Sequence, residues 1–215
     1  MLSAATLMSI ENLKAETVLS NLSRGQRGPD PMPGNFQLEA NQFMTGPSGP
    51  SLINFVTLSA SIPSGSQLTL SIYGDNNDQI GANLLGTFTQ QQSGHGTDNY
   101  TFAAPNVQLS TDSAYWLVVS ALPGSTGGWF WTEDASADSP YGWTIGSHAY
   151  FGSSSWHYFG FWPYSFGVDA TSVPEPHEFA IIGIGLLCAG GFKLRRGRRA
   201  NSSSSILPQS ICGMA

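Results

Sequence analysis

From Gly28 to Phe192 this 215-residue chain contains no lysine and no arginine. A phosphate-rich partner would meet no counter-charge along that stretch, so nucleic acid is not an expected partner. Cysteine is almost as scarce: Cys188 and Cys212 are the only two, both near the C-terminal end. The region before them has no disulfide and must stay folded by packing alone. Residues 16–172 also lack helical periodicity longer than about three turns and any repeat of fixed length, which argues against a bundle, a propeller or a solenoid. Catalytic spacings are missing too. His95, His148, His157 and His177 form neither His-x-His nor His-Glu-x-x-His, and there is no Gly-x-Ser-x-Gly turn or phosphate-cradling glycine loop. The expectation is a non-enzymatic protein with no cofactor and no metal.

What the middle of the chain does have is a period of two. In residues 67–73, Leu68, Leu70 and Ile72 alternate with Thr69 and Ser71, which puts one set on a core face and the other toward solvent. Residues 114–121 are more continuously apolar, as a strand covered on both faces should be. Further strands are expected at 17–22, 35–44, 52–60, 84–89, 99–103, 129–132, 143–150 and 159–171. Between them lie turn-forming clusters such as Ile62-Pro63-Ser64-Gly65, Gly74-Asp75-Asn76-Asn77-Asp78 and Leu122-Pro123-Gly124-Ser125. Many short strands at this spacing predict a mainly β protein, an antiparallel β-sandwich of jelly-roll type, followed by one short C-terminal transmembrane helix.

That helix is read from the end of the chain. Val173, Pro174, Glu175 and Pro176 precede an uncharged run over 179–192, which is followed by Lys193, Arg195, Arg196, Arg198 and Arg199. Five of the eight basic residues lie in this last cluster. The run is short, about 21 Å as a helix against a hydrocarbon core of about 30 Å. Two readings follow, a buried core helix or a membrane stop. The flanks favour the stop, because cations resist translocation and Lys193 and Arg195 can snorkel to extend the apolar length. The body would then lie outside the cytoplasm. Export needs a second signal, and the apolar character of 1–10 supplies a signal-peptide core; no cation precedes it, so the expected signal over 1–15 begins upstream of Met1. The domain reading is a signal over 1–15, a β-sandwich surface domain over 16–172, a sorting and anchor segment over 173–199, and a polar, disordered tail over 200–215.

The order of these three parts resembles the PEP-CTERM sorting signal of Gram-negative bacteria. The resemblance covers 173–199 and implies that Pro174, Glu175 and Pro176 are a recognition triplet for exosortase, a membrane-embedded cysteine protease or transpeptidase. Its implied partners are exosortase as processing enzyme and, transiently, the inner membrane, and the body is delivered to the cell surface or biofilm matrix. The chain departs from the family by continuing through Ser202–Ser205 to Ala215. Within the body, Thr17-Val18-Leu19-Ser20-Asn21-Leu22, Ala40-Asn41-Gln42-Phe43-Met44-Thr45-Gly46, the strand 68–73 and Ala114-Tyr115-Trp116-Leu117-Val118 resemble the choice-of-anchor β domains, type R in particular. That likeness implies an exported surface domain and no activity.

Three side-chain groups could carry chemistry. Residues 129–166 hold 14 aromatic residues, including five of the six tryptophans. Aromatic faces stack on sugars, so Trp143, Trp156, Tyr158 and Trp162, flanked by Gly, Ser and His, are expected to be exposed as a glycan platform for exopolysaccharide. Core packing is the competing account of the same residues. Asp75-Asn76-Asn77-Asp78 offers oxygens to calcium but lacks the spacing of an EF-hand loop, and turn chemistry explains it fully. Glu133, Asp134 and Asp138 could serve as paired carboxylates in glycoside cleavage or simply be solvated.

Overall fold

The computed structural model describes residues 14–32, 38–48, 51–160 and 162–173. The chain divides into two units, Met1–Val173 and Pro174–Ala215. The signal-peptide core, the sorting triplet, the apolar run, the arginine cluster and the polar tail all lie outside the described residues. Among the described residues no helix is long and apolar enough to cross a membrane.

The body is mainly antiparallel β, as expected. Its strands are β1 (Glu16–Ser20), β2 (Gln26–Met32), β3 (Leu38–Met44), β4 (Ser51–Ile62), β5 (Leu68–Asp75), β6 (Ile80–Gln90), β7 (Gly96–Leu109), β8 (Ala114–Ala121), β9 (Gly127–Thr132), β10 (Thr144–Gly152), β11 (Ser155–Phe159) and β12 (Phe166–Ser172). They form one curled sheet in the order β1-β12-β4-β7-β6-β5-β8-β3-β10-β11, with β9 pairing both β2 and β4. The sheet turns at β6, which pairs with β5 from Ile80 to Phe88 and then with β7 through Thr89 and Gln90. One strand thus belongs to both layers, and the layers face each other in a sandwich-like arrangement.

The apolar alternation read from the sequence builds the space between them. Leu68, Leu70 and Ile72 are buried while Thr69 and Ser71 are partly exposed. They join Phe43, Val56, Leu58, Tyr100, Phe102, Leu117, Val119, Trp129 and Phe166 in the main core. Strand β8 is buried on both faces, because Trp116 and Val118 point the other way, into a second cluster with Ala40 and Ala149. Tyr73, Ile80, Trp156 and Tyr158 pack over that cluster.

Three features depart from expectation. Strand β2 was not anticipated, because Arg27-Gly28-Pro29-Asp30-Pro31 has the composition of a turn; it pairs only with β9, and an edge position tolerates prolines that lack an N–H. The strand expected over 159–171 begins only at Phe166, and the strand before it, β11, was not expected. Strand β11 ends at Phe159 and β12 starts at Phe166, separated by Gly160, by Trp162 at φ +61° and by Pro163, none of which suits a continuous ladder. Strand β11 is itself half of a hairpin whose turn, Ser153 and Ser154, has positive φ at both residues without the usual Asn-Gly signal. Gly46 marks a close approach: a Cβ there would lie 1.9 Å from the Tyr141 carbonyl oxygen.

Candidate functional site

The turn after β5 shows how its polar residues are used. Asn77 and Asp78 take the left-handed conformation, and Asn76 N–H donates to the Gln79 carbonyl at 2.8 Å. Asp75 Oδ1 accepts from Trp116 Nε1 at 2.7 Å and from Gln42 Nε2 at 2.8 Å, while Oδ2 accepts from Asp78 N–H at 3.0 Å. This carboxylate satisfies a buried indole and a glutamine and closes its own turn. Among the described residues no group of three or more His, Cys, Asp or Glu side chains could hold a metal ion.

The acidic loop after β9 is engaged as well. Glu133 pairs with Arg27 at 2.6 Å, and Asp138 with Arg24 at 2.9 Å. Asp134 Oδ1 accepts from Ser136 N–H at 2.8 Å, and its carboxyl is held below the ordinary carboxylate range, first by the hydrogen bonds from Ser136 and less by Arg24. A general acid in glycoside cleavage needs the opposite shift. The loop works structurally: Asp138 and Ser20 exchange backbone hydrogen bonds at 2.9 and 2.7 Å, which ties it to β1.

The aromatic segment divides into several places. Trp143, expected at the surface, is only 4 % exposed and stacks on Phe43 with 5.7 Å between centroids. Trp156 and Tyr158 are half-buried over the second cluster; Tyr158 meets Trp116 edge-on, and its hydroxyl accepts from Ile80 N–H at 3.2 Å. Trp162 is 48 % exposed and stacks on Trp131 at 5.2 Å. The structure therefore brings Trp156 and Tyr158 together and sets Trp143 and Trp162 elsewhere. On the opposite face of the β10–β11 hairpin, His148, Phe159, Tyr150 and His157 form a row of near-parallel rings 5.0 to 5.7 Å apart. Rings in that row turn their faces toward one another rather than outward, so the row packs the hairpin and is no flat platform.

A cleft of about 450 Å³ lies beside β1 and the end of β12, with Trp143 and Tyr141 among its walls together with Lys14, Glu16, Thr171 and Ser172. The Tyr141 hydroxyl donates to Glu16, and that bond raises the phenol above its ordinary range. The cleft's described walls also hold Ser48 and Ser51 but no histidine, and its glutamate is bonded to Tyr141.

Sequence reasoning missed a buried polar network behind β3. Residues 163–165 lie outside the strands yet are buried, as is Phe166 at the start of β12, so their backbone groups need partners inside the protein. Asn41 Oδ1 accepts from Tyr164 N–H at 2.8 Å; Asn21 Nδ2 donates to the Tyr164 carbonyl at 2.9 Å, and Asn21 Oδ1 accepts from Phe166 N–H at 2.7 Å. Trp129 Nε1 donates to the Ser165 carbonyl at 2.9 Å. Tyr164 stacks on Trp129 at 4.6 Å, and its hydroxyl donates to Asp30 at 3.1 Å. Beside them Glu39 is 0 % exposed, and neither carboxyl oxygen has a hydrogen-bond partner. Burial pushes its pKa well up, Asp30 adds to the rise, and the Trp129 backbone N–H opposes it without forming a bond of normal geometry. Burial likewise holds the Tyr164 phenol protonated, reinforced by Glu39 and Asp30. The signal for this network was in the alternation: Glu39, Asn41 and Phe43 occupy every second position of one strand and so share the core face.

Comparison of the chain with protein-family models, curated proteins and solved structures gives no match.

Proposed function

We propose that this chain is a non-enzymatic exported protein, a jelly-roll-like β domain carried on a C-terminal sorting segment to the cell surface or extracellular matrix. The observation that carries the reading is the order of three parts after the body: Val173-Pro174-Glu175-Pro176, the uncharged run 179–192, and the five cations from Lys193 to Arg199. The body's own chemistry supports it. Its acids near the turns are spent on Trp116, Gln42, Arg24 and Arg27, and its core network is closed off from solvent. Exosortase would read Pro174, Glu175 and Pro176, and the inner membrane would hold the run until processing. Fractionation of cells expressing the chain with an epitope inserted after Ser172 tests this: the epitope is expected in membrane and extracellular fractions, and a body confined to the soluble cytoplasm would refute it.

A second reading, a carbohydrate-binding module for exopolysaccharide, draws on one observation, the exposure of Trp162 stacked on Trp131. It requires glycan-array binding that is lost on Trp162→Ala. Binding that survives that change removes Trp162 from the account.

A further inference from the structure

Among the described residues the sheet has three edges, at β1, at β2 and at β11. An open edge is a row of unpaired backbone groups that can pair with another chain, and natural proteins block such rows with prolines, bulges, charges or covering loops. Two of the three are blocked. Strand β1 carries a register shift between Thr17 and Leu19, begins with Glu16, and is covered at Ser20 by the backbone of Asp138. Strand β2 contains Pro29 and Pro31 and carries Arg27 and Asp30. Strand β11, Ser155-Trp156-His157-Tyr158-Phe159, has no proline, no lysine and no acid, and its pairing with β10 runs without a register shift.

The hairpin fixes which groups face outward. Ser153 and Ser154 close a two-residue turn on the Gly152–Ser155 pair, so Ser155, His157 and Phe159 direct their backbone N–H and C=O toward β10. The backbone groups of Trp156 and Tyr158 point away from the sheet. These two positions are symmetric about His157. We propose that β11 is a self-association edge, where a second copy of this chain pairs antiparallel about a two-fold axis through His157. Trp156 of each copy lies opposite Tyr158 of the other in a hydrogen-bonded pair, and the two ladders become one continuous sheet. The contact is isologous and closes on itself. Side chains fit the same register. Trp156 and Tyr158 share the face of the second cluster, where Phe151 already meets Trp156 edge-on at 5.5 Å, so the pairing extends an aromatic row across the axis. The inference rests on the body alone and stands or falls separately from the sorting reading.

The register gives a direct test. His157 opposes its own copy in a non-hydrogen-bonded pair, whose Cα separation of about 4.5 Å suits a disulfide. In the full chain carrying Cys188→Ala and Cys212→Ala, His157→Cys is expected to form a disulfide-linked dimer under mild oxidation at least about tenfold faster than Ser155→Cys, which lies off the axis. Adding Trp156→Lys, which places a charge on the edge, is expected to slow that linkage by about tenfold in a chain that remains folded at the assay temperature, as near-UV circular dichroism checks. Equal rates for the two cysteine positions, or a rate indifferent to Trp156→Lys, overturn the proposal. Sedimentation of the full wild-type chain over a concentration series needs no substitution: a reversible dimer weakened by Trp156→Lys supports the edge. A species that stays monomeric at about 100 μM, or a dimer that Trp156→Lys leaves intact, overturns it.

Discussion

Asn41→Ala is expected to lower the stability of the body by about 2–4 kcal/mol, because it strands two backbone groups at once. Tyr164 N–H loses its only acceptor, and the Gln42 carbonyl loses the 2.8 Å donor it receives from Asn41 Nδ2. Water cannot replace either partner easily, since Asn41 and the backbone around Tyr164 are buried. Asn21→Ala is expected to cost a similar amount, through Phe166 N–H and the Tyr164 carbonyl. The two losses should not add. Both asparagines hold the same few residues, so once one is removed the segment relaxes and the other has less to support. Urea unfolding of the two single variants and the double variant measures this, with the midpoint falling at unchanged slope. A loss under about 1 kcal/mol for Asn41→Ala would mean that residues 163–166 are held chiefly by Trp129 and the strands, and that the asparagine clamp is incidental.

Glu39→Gln is expected to stabilise the protein at alkaline pH and to change it little near pH 4. In the unfolded chain this carboxyl ionises around its ordinary value of 4.5, whereas in the folded state burial and Asp30 keep it protonated well beyond that. Above 4.5 the folded state therefore binds more protons than the unfolded state, and stability falls as pH rises toward the raised value. The contribution of Glu39 is complete below the ordinary value and lost above the folded one. The charged and titratable groups that act on it share that direction: Asp30 repels the ionised form, and Tyr164 stays protonated. Glutamine keeps the shape and cannot ionise. Melting temperatures of wild type and variant at pH 4 and pH 8 provide the readout, with an advantage for the variant at pH 8 larger by about 4 °C or more than at pH 4, since 1 kcal/mol corresponds to about 2–4 °C for a domain of this size. The same difference at both pH values would show that the Glu39 carboxyl gains a partner or reaches water when charged.

Of the residues behind these expectations, Asn41 lies in Ala40-Asn41-Gln42-Phe43-Met44-Thr45-Gly46 and Glu39 directly precedes that stretch. Their roles in the structure are architectural. Asn41 holds a buried segment, Gln42 reaches Asp75, Thr45 bonds the Ser110 carbonyl at 2.7 Å and accepts from Ser113 N–H at 3.0 Å, and Gly46 leaves room for the Tyr141 backbone.

Strand positions were legible wherever the side-chain period and the turn chemistry agreed. Residues 67–73 and 114–121 fall on β5 and β8 because alternating or continuous apolar residues have one low-energy way to meet a core, and Pro63-Ser64-Gly65 and Pro123-Gly124 turn where a positive φ is needed. The prolines of β2 and the Ser153–Ser154 turn broke those rules, and their strands were missed. Strand β2 is held by β9, far away in the chain and outside any local window, whereas β11 pairs with its neighbour β10 across a turn that lacks the usual turn residues. Exposure of the tryptophans was out of reach for the same reason: Trp143 and Trp162 have similar neighbours in the chain, yet one stacks on Phe43 in the core and the other sits at the surface.

By itself, the amino-acid sequence determined that the body is an antiparallel β protein, poor in cations and free of disulfides, because periodicity, turn residues and composition act locally and add up along the chain. Only the tertiary structure decided which polar side chains are buried, how the sheet curls through β6, and which strands form its edges among the described residues. Those properties depend on pairings between residues far apart in the chain, where a carboxylate such as Glu39 and an indole such as Trp143 acquire their surroundings only once the layers close.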